Sequence, residues 1–367
     1  MRYVLVTKRY YTNRDLIADR FGRLYHLPAH LSRHGHDGLV LALDYRRGAD
    51  AIAAGDTAPM VRSLPVRRLG PLGTWRTLCH AVRAHTPDVV IASGDTPLGA
   101  AGRRLARLTG AAFAFDVYDD YRTFASARLP GMKRLFRRTL AAADLAIFAS
   151  EAFAAEMRTA SSLRRWAVVP NGYDPAVFRP QPRAACRAAF GLPECGVLIG
   201  YFGSLGWERG TDVLMAAAER LAGEIPGLAL VLAGHPAAAV PGGGRVPVHF
   251  LGSVDQQAVA QLIGACDLVS IPYRQTAYTQ ATQACKIAEY LACRVPVAAT
   301  RVGQATTALA DIPQALCRPD DADDLARVLK AQIAAPVLAP VPTELAWETL
   351  AGRLEAELGG VLASRRS

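Results

Sequence analysis

The sequence lacks several patterns that would fix its class directly. Its seven cysteines form no Cys-x-x-Cys pair and no histidine stands at zinc-finger spacing, so we expect reduced thiols rather than disulfides or a zinc site. Neither Gly-x-Gly-x-x-Gly nor the P-loop pattern Gly-x-x-x-x-Gly-Lys-Ser/Thr occurs, which disfavours a Rossmann dehydrogenase and a P-loop enzyme. With 51% hydrophobic residues among 367 and no low-complexity tract, the chain is globular and long enough for two domains.

Long apolar runs are also missing. The N-terminal apolar run stops before Lys8, and the longest apolar stretch, 139–155, is interrupted by Asp144, Ser150 and Glu151. A signal peptide core or a membrane span needs a longer uninterrupted run. We therefore expect a cytoplasmic protein, which could work at the inner face of the membrane.

Acidic residues are scarce in the first half of the chain. Residues 1–180 carry 27 Lys and Arg against 15 Asp and Glu, whereas residues 181–367 carry 15 against 17. The basic half suits an anionic partner, such as a phosphorylated or lipid-phosphate acceptor, a membrane surface or nucleic acid. No helix-turn-helix or RNP-like pattern occurs, so we expect no nucleic acid. Residues 131–138 begin a basic amphipathic helix that could rest on an anionic membrane; a solvated helix face is the alternative.

Short apolar runs alternate with helical periodicity along the whole chain. They cover 3–7, 39–44, 89–93, 112–117, 145–150 and 167–170 in the first half, and 197–203, 228–234, 248–252, 268–272 and 295–300 in the second. Continuous apolar strands separated by helices are typical of parallel sheets covered on both faces. The pattern predicts an α/β protein of two doubly wound, Rossmann-like domains that face each other across a cleft.

The joint between the domains is expected in 171–186, where an Asn-Gly pair and three prolines stop regular structure. This gives a first domain of residues 1–178 and a second of residues 179–345. The last segment, 346–367, is helical in pattern and is expected to cross back to the first domain.

The loop after 197–203 could seat a phosphate. Gly203, Ser204 and Gly206 are small enough for backbone N–H groups to approach an anion. A helix begins close behind them, and Arg209 supplies a fork of donors. An ordinary strand-to-helix turn with a surface arginine is the alternative, and the segment alone does not decide between them.

A second polar loop follows 268–272 and leads into a short helix that carries Lys286 and Glu289. Their spacing of three places both on one helix face, near an N-terminus whose free N–H groups point into the loop. Glu289 could accept hydrogen bonds from vicinal hydroxyls such as those of a ribose, while Lys286 and the amides of Ala284 and Cys285 face phosphate or sugar oxygens. A helix-surface Lys–Glu pair is the alternative.

Acidic and aromatic residues follow 112–117, namely Tyr118, Asp119, Asp120 and Tyr121. A carboxylate at this strand end could position or deprotonate an acceptor hydroxyl, or stabilise positive charge on a sugar ring. Capping of the next segment is the alternative, and we expect function for Asp119 and capping for Asp120. The aspartates at 320–324 fit a helix start, so we expect no metal site.

Taken in order, these segments resemble the retaining GT-B glycosyltransferases of the large family that includes sucrose synthases and phosphatidylinositol mannosyltransferases. The similarity runs nearly from end to end and includes "VVPNGYDPAVFRP", "IGYFGSLGWERGTDVLMAA" and "KIAEYLACRVPVAAT". It implies transfer of a sugar, with retention and without a metal or cofactor, from a nucleotide-sugar to a hydroxyl of a glycan or lipid-linked acceptor. Bacterial surface polysaccharide or glycolipid synthesis is the implied setting.

Carried over by position, the resemblance makes Glu289 the carboxylate that binds the donor ribose and Arg209 the cation on the donor phosphates. The remaining donor-side residues of this second loop, which would lie under the transferred sugar and its phosphates, are Thr282, Gln283, Ala284 and Cys285.

The chain departs from the family pattern at four places. Ala281 stands for the first Glu of the Glu-x7-Glu motif, Ser204 for an Arg, and Tyr118 for a His. The loop after the first strand keeps only Gly22, on the acceptor side, of the expected glycine-rich segment. Tyr118 and Asp119 are then the catalytic candidates. The departures leave a nucleotide-sugar-binding protein without turnover as an alternative, and a glycosyltransferase of a small natural product is another.

Overall fold

The computed structural model of the chain describes residues 1–11, 14–46, 51–55, 58–235, 244–281 and 284–366. The chain forms two compact units. The first contains Met1–Gly172 together with Trp347–Ser367, and the second contains Tyr173–Ala346.

The chain enters the second unit a few residues before the boundary expected at 178/179. Tyr173 and Phe178 are both buried in the core of the second unit. The amide of Tyr173 also donates a hydrogen bond to the carbonyl of Leu345 at 3.1 Å, which ties the start of this unit to its end. Because these contacts all lie within the second unit, the segment 173–178 folds with it.

The first unit is built on an eight-stranded sheet in the order β10-β9-β8-β7-β1-β4-β6-β5, in which β5 is antiparallel to β6 and the other pairs are parallel. A separate hairpin pairs β2 with β3. The strands are β1 Arg2–Lys8, β2 Tyr10–Tyr11, β3 Arg14–Asp15, β4 Asp37–Asp44, β5 Ala51–Gly55, β6 Ala58–Pro65, β7 Val89–Ser93, β8 Ala112–Val117, β9 Leu145–Phe148 and β10 Trp166–Val168. The helices are α1 Arg23–Arg33, α2 Val66–His85, α3 Thr96–Thr109, α4 Met132–Ala141 and α5 Glu151–Ala160, with the C-terminal helix Trp347–Arg366.

Helices cover both faces of this sheet. Across the sheet, the chain moves from β1 to β4 towards one edge. It then moves from β6 through β7 and β8 to β9 towards the other edge. Because such crossovers are right-handed, α1 lies on one face, and α2, α3 and α4 lie on the opposite face. The C-terminal helix packs on α1, whereas α3 packs on both α2 and α4.

The second unit contains a six-stranded, fully parallel sheet in the order β13-β12-β11-β14-β15-β16. The strands are β11 Leu198–Phe202, β12 Ala229–Ala233, β13 Val248–Phe250, β14 Leu268–Ile271, β15 Val297–Thr300 and β16 Leu316–Cys317. The helices are α6 Arg183–Ala189, α7 Thr211–Arg220, α8 Gln256–Ala265, α9 Ala277–Ala281, α10 Cys285–Ala292, α11 Gln304–Ala308 and α12 Ala322–Ala334. The strand order reverses between the neighbours β11 and β14, and ligands of open α/β sheets bind at such a point.

The α/β class with two doubly wound parallel sheets is confirmed, and the apolar runs named in the sequence lie at strands. The prediction missed the short strands β2, β3, β5 and β16. It also missed β6, because Arg62 and Ser63 interrupt its apolar pattern. The expected helix start at 320–324 is also confirmed: the carboxylate of Asp321 accepts hydrogen bonds from the amides of Asp323 and Asp324 at the start of α12.

Candidate functional site

Helix α10 is fixed against the carboxyl end of β11. The hydroxyl of Tyr290, a fully buried residue of α10, accepts a hydrogen bond from the amide of Phe202 at 2.9 Å. Lys286 lies one turn earlier on the same helix. The bond therefore places Lys286 beside Gly203, the residue that follows β11.

Gly203 makes room for the Lys286 ammonium group. It adopts φ +133°, and a Cβ atom at this position would lie 2.6 Å from Nζ of Lys286. Its own amide donates to the carbonyl of Ala233 at 2.7 Å, and the amide of Leu205 donates to the carbonyl of His235 at 3.0 Å. These two N–H groups are bonded to neighbouring backbone and are not free to bind an anion. An approach of the Ser204 and Gly206 amides to an anion stays a prediction.

Lys286 is half-buried and has no ion pair to a carboxylate within 4 Å in the described part of the chain. The hydroxyl of Tyr201 donates to the carbonyl of Ser204 at 2.7 Å and therefore accepts from Nζ of Lys286 at 3.0 Å. Burial lowers the pKa of Lys286 well below its ordinary value; the nearby Arg209 lowers this pKa further, and Glu289 opposes the shift. An anion beside Nζ would restore the charged form.

Arg209 lies between two tyrosine rings. Its guanidinium carbon is 4.7 Å from the centroid of the Tyr273 ring and 5.1 Å from that of Tyr278, and Nη2 donates to the Tyr278 hydroxyl at 3.0 Å. Nη1 is buried without a hydrogen bond of ordinary geometry. A buried donor left in this way costs free energy unless a ligand satisfies it.

The turn that carries Arg209 depends on Gly210. This residue adopts φ +63°, and a Cβ atom there would lie 1.9 Å from the carbonyl oxygen of Pro272, which follows β14. Only glycine permits this close approach. The loop after β11 and the loop after β14 are thereby held together at the point where the strand order reverses.

Glu289 is buried on α10, three residues after Lys286. Because Arg209 and Glu289 both act on the pKa of Lys286, the three charged side chains lie within electrostatic reach of one another. Ala284 precedes α10 and Cys285 begins it, and both are half-buried. The expected donor residues Thr282 and Gln283 lie outside the described residues. Ala281 is the last residue of α9, and Ser204, in the loop after β11, is exposed.

This arrangement suits a ligand with two neighbouring negative charges. Arg209 and Lys286 approach one site, and tyrosine rings rather than carboxylates pack against both cations. Aromatic faces attract a cation without neutralising it, so the charge stays available to an anion. A diphosphate fits the two donors, and Glu289 is the nearby acceptor for hydroxyl groups.

In the first unit, the expected residues Gly22 and Tyr118 come together through Tyr11. Gly22 adopts φ +70° at the start of α1, and a Cβ atom there would lie 2.8 Å from Cε1 of Tyr11. The Tyr11 ring packs edge-on against Tyr118 at 5.1 Å, and Tyr118 packs on Tyr121 at 5.6 Å. Burial raises the pKa of Tyr118, which keeps its hydroxyl protonated.

Asp119 and Asp120 have different surroundings. Asp120 accepts from the amide of Arg122 at 3.1 Å and from its guanidinium at 2.7 Å, as a turn cap does. Asp119 accepts the amide of Asp120 at 2.8 Å, and no cation in the described chain lies within 4 Å of its carboxylate. Burial raises the pKa of Asp119; the hydrogen bond from the Asp120 amide opposes this shift, and the charge of the Asp120 carboxylate adds to it.

A buried ion pair supports these residues from below. The guanidinium of Arg23 donates to both carboxylate oxygens of Asp116, at 3.1 and 2.7 Å, and its Nη1 donates to the carbonyl of Val169 at 2.9 Å. Arg23 also lies under the Tyr118 ring, 5.7 Å from its centroid. The adjoining cavity, of about 20 Å³, holds no more than a single water and is too small for a substrate.

Sequence reasoning missed Arg23, Asp116 and the tyrosines at 201, 273 and 278. Asp116 gave a usable signal, since a carboxylate inside the apolar strand "AFAFDV" must find a buried partner. The tyrosines gave none, because an aromatic residue near a strand end is equally typical of core packing.

Metal sites and membrane spans are both absent from the described residues. No group of three or more His, Cys, Asp or Glu side chains there could hold a metal ion. No helix in those ranges is long and apolar enough to cross a bilayer.

Two family models match the chain in succession. The model for the glycosyl transferase 4-like domain matches residues 23–172, within the first unit, and the model for glycosyl transferases group 1 matches residues 196–334, within the second. Together they cover most of the sequence. The chain belongs to the group 1 glycosyltransferases of the GT-B fold.

Curated relatives of this glycosyltransferase include D-inositol 3-phosphate glycosyltransferases. The enzyme of Stackebrandtia nassauensis is 34% identical over 161 residues, which are 39% of this chain and 35% of that protein. The enzyme of Nocardiopsis dassonvillei is 30% identical over 259 residues, 65% of this chain and 57% of that protein. The matched part of the chain thus spans between about a third and somewhat more than half of these relatives.

Solved structures share the fold of the glycosyltransferase at low identity. Sucrose-phosphate synthase from Thermosynechococcus elongatus has a TM-score of 0.75 at 19% identity, with 99% of each chain covered. Anabaena HepE in complex with UDP-glucose has a TM-score of 0.63 at 18% identity, covering 99% of this chain and 97% of that one. At these identities the similarity establishes the fold alone.

Proposed function

We propose that the protein is a retaining, metal-independent glycosyltransferase that moves a sugar from a nucleotide-sugar to a hydroxyl of a glycan or lipid-linked acceptor. Surface polysaccharide or glycolipid synthesis is the setting that we propose for it. The observation that carries the proposal is the pair of cations Arg209 and Lys286 at the carboxyl end of β11, with Glu289 beside them.

The donor is proposed to bind with its diphosphate on the two cations. The buried Nη1 of Arg209 lacks a hydrogen bond of ordinary geometry, and the Lys286 pKa is depressed by burial, so both gain when phosphate oxygens arrive. Glu289 then accepts the ribose hydroxyls. The HepE structures, which contain UDP or UDP-glucose, support this choice of ligand by analogy of fold.

We propose metal independence because of the same two cations, Arg209 and Lys286. During transfer the diphosphate leaves with growing negative charge, and side-chain cations can stabilise this charge as a divalent ion would. Arg209 and Lys286 are held in place by the tyrosine rings around them, so little reorganisation is needed when the bond breaks.

Asp119 is proposed as the residue that acts on the acceptor side, and Tyr118 as its neighbour that shapes the site. A carboxylate without a cation partner, whose pKa is raised by burial, can accept a proton or a hydrogen bond from a hydroxyl. Asp120 is proposed to shape the turn only, because its oxygens are engaged by Arg122.

The first experiment is a thermal-shift screen of nucleotides and nucleotide-sugars, followed by a turnover assay with glycan and lipid-linked acceptors. A bound donor should raise the melting temperature by mass action. Arg209→Ala should reduce the shift strongly, whereas Lys330→Ala, which removes an exposed cation paired with Glu224, should leave it unchanged. If no nucleotide-sugar raises the melting temperature of the wild-type protein, the proposed donor site is wrong.

The reaction class needs its own measurements. NMR of the product should show the anomeric configuration of the donor, and a chelator should leave the rate unchanged. Donor binding without nucleotide release from any acceptor would favour the alternative of a nucleotide-sugar-binding protein, for which Ala281, Ser204 and Tyr118 are the motivating departures. Turnover on a small natural product alone would favour the second alternative.

A further inference from the structure

Three successive helices of the first unit carry no acidic residue. Helices α2, α3 and α4 contain eleven Lys and Arg side chains and neither Asp nor Glu. The eleven cations are Arg67, Arg68, Arg76 and Arg83 on α2, Arg103, Arg104 and Arg107 on α3, and Lys133, Arg134, Arg137 and Arg138 on α4. The sequence had indicated only the last of these helices.

The three helices form one continuous surface, which we call the basic face. They lie on the same side of the sheet, and α3 packs on both of its neighbours. The next helix along the chain, α5, carries Glu151 and Glu156 and is not part of this face. The opposite side of the sheet is covered by α1 and the C-terminal helix, which carries Glu348, Glu355 and Glu357.

None of the eleven cations has an acidic partner within 4 Å among the described residues. Elsewhere in the first unit some arginines are paired, such as Arg9 with Asp15 at 2.8 Å and Arg23 with Asp116 at 2.7 Å. Others, such as Arg33 and Arg353, have no acidic partner within 4 Å among the described residues. The basic face differs from the rest of the unit because its three helices carry cations and no acidic residue at all.

Apolar side chains are exposed among these cations. Leu72 is 75% exposed on α2, Leu108 is 38% exposed on α3, and Leu135 is 36% exposed on α4. Leu129, just before α4, is 59% exposed. Leu72 follows the kink at Gly70, which has non-helical backbone angles, so it lies at a bend between exposed arginines.

We propose that the basic face docks on an anionic lipid bilayer. Unpaired cations at the headgroup level with leucines that reach below them are the features of interfacial membrane binding. A nucleic acid would satisfy the cations but would leave the exposed leucines in water, and its recognition usually adds aromatic stacking or groove-reading elements. The bilayer is the occupant that uses both kinds of side chain.

This inference goes beyond the proposed function, because it assigns a surface of the first unit and needs neither donor nor acceptor. Docking would place the glycosyltransferase beside lipid-linked acceptors. The test can therefore fail or succeed independently of the sugar-transfer assay.

The experiment is flotation of the full chain with two vesicle types, phosphatidylcholine alone and phosphatidylcholine mixed with phosphatidylglycerol. The protein should float with the anionic vesicles only, and added salt should release it. Arg134→Gln, Arg137→Gln and Arg138→Gln together should lower the partition coefficient by roughly 100-fold, at about fivefold for each charge near the surface.

The matched control removes three exposed arginines from elsewhere in the first unit, with Arg33→Gln, Arg353→Gln and Arg366→Gln. It should change the partition coefficient far less than the variant of the basic face. Leu72→Ser, which leaves all charges in place, should also weaken flotation. Equal losses in the two arginine triples, an unchanged partition coefficient in Leu72→Ser, or binding to nucleic acid without binding to anionic vesicles would each overturn the proposal.

Discussion

Nζ of Lys286 donates a hydrogen bond to the hydroxyl of Tyr201 at 3.0 Å, and the hydroxyl of Tyr201 donates its own proton to the carbonyl of Ser204. A neutral phenol thus stands where an ion-paired lysine would have a carboxylate. Since burial and Arg209 both disfavour the charged ammonium, an arriving anion changes its protonation as well as its contacts.

Donor affinity should consequently fall as pH rises. The pKa of Lys286 is depressed in the free protein, and a bound diphosphate raises it, so binding takes up a proton between the two pKa values. Below the pKa of the free site the lysine is already charged and this dependence disappears. Calorimetry with UDP-glucose in buffers of different ionisation enthalpy measures the uptake, and the diphosphate diester of this probe does not itself titrate near neutrality.

Lys286→Met supplies the control for this linkage. The variant should bind UDP-glucose more weakly, with little proton uptake and little dependence on pH. If it took up as many protons as the wild-type protein, another group would be responsible and the role assigned to Lys286 would be wrong.

Gly203→Ala should abolish donor binding while the protein stays folded. The new Cβ atom would lie 2.6 Å from Nζ of Lys286 and would displace the ammonium group from the site. Gly223→Ala is the matched control, because Gly223 also has positive φ, at +85°, but a Cβ atom there would meet no other atom within 4 Å. Calorimetry of both variants should show lost binding only in Gly203→Ala; equal affinities would mean that this contact is unimportant.

Arg209→Ala should weaken donor binding by about 2–5 kcal/mol, the range for loss of a buried charged contact, and Glu289→Ala by a comparable or smaller amount. Arg209→Lys should recover only part of the loss, because lysine lacks the planar fork that lies between the rings of Tyr273 and Tyr278. Unchanged donor affinity in both alanine variants would show that the diphosphate binds elsewhere.

The sequence was sufficient for the architecture because parallel strands are buried on both faces and leave continuous apolar runs. It was less informative for the donor loop. Gly203 was correctly singled out as small, but its amide donates a hydrogen bond to the carbonyl of Ala233. The space beside it is filled by Lys286, which lies on a helix 83 positions later in the sequence. Contacts of this kind depend on how α10 packs on β11, which no local pattern encodes.

The first unit shows the same limit. The hydrogen bonds of Asp119 and Asp120 distinguish the roles of the two carboxylates, and the sequence does not show those bonds. The expectation that Asp120 caps a turn agrees with its bonds to Arg122. Arg23 could not be singled out among so many arginines, because its partner Asp116 lies 93 positions away. Charge counts identify the first half of the chain as basic. Only the fold shows which of its arginines have acidic partners and which lie on the basic face.

The buried pair of Arg23 and Asp116 leads to a prediction about stability. Arg23→Ala should lower the free energy of unfolding by about 3–5 kcal/mol, since it leaves a buried carboxylate without its cationic partner. The exposed pair of Lys330 and Glu224 is the control, and Lys330→Ala should cost less than about 1 kcal/mol. Urea denaturation measures both changes.

The double variant Arg23→Met with Asp116→Asn should be less destabilised than the sum of its single changes, because neither charge is then left alone. Additive losses would mean that the two side chains stabilise the unit separately, and that Arg23 does not hold Asp116 and the Tyr118 ring as one network.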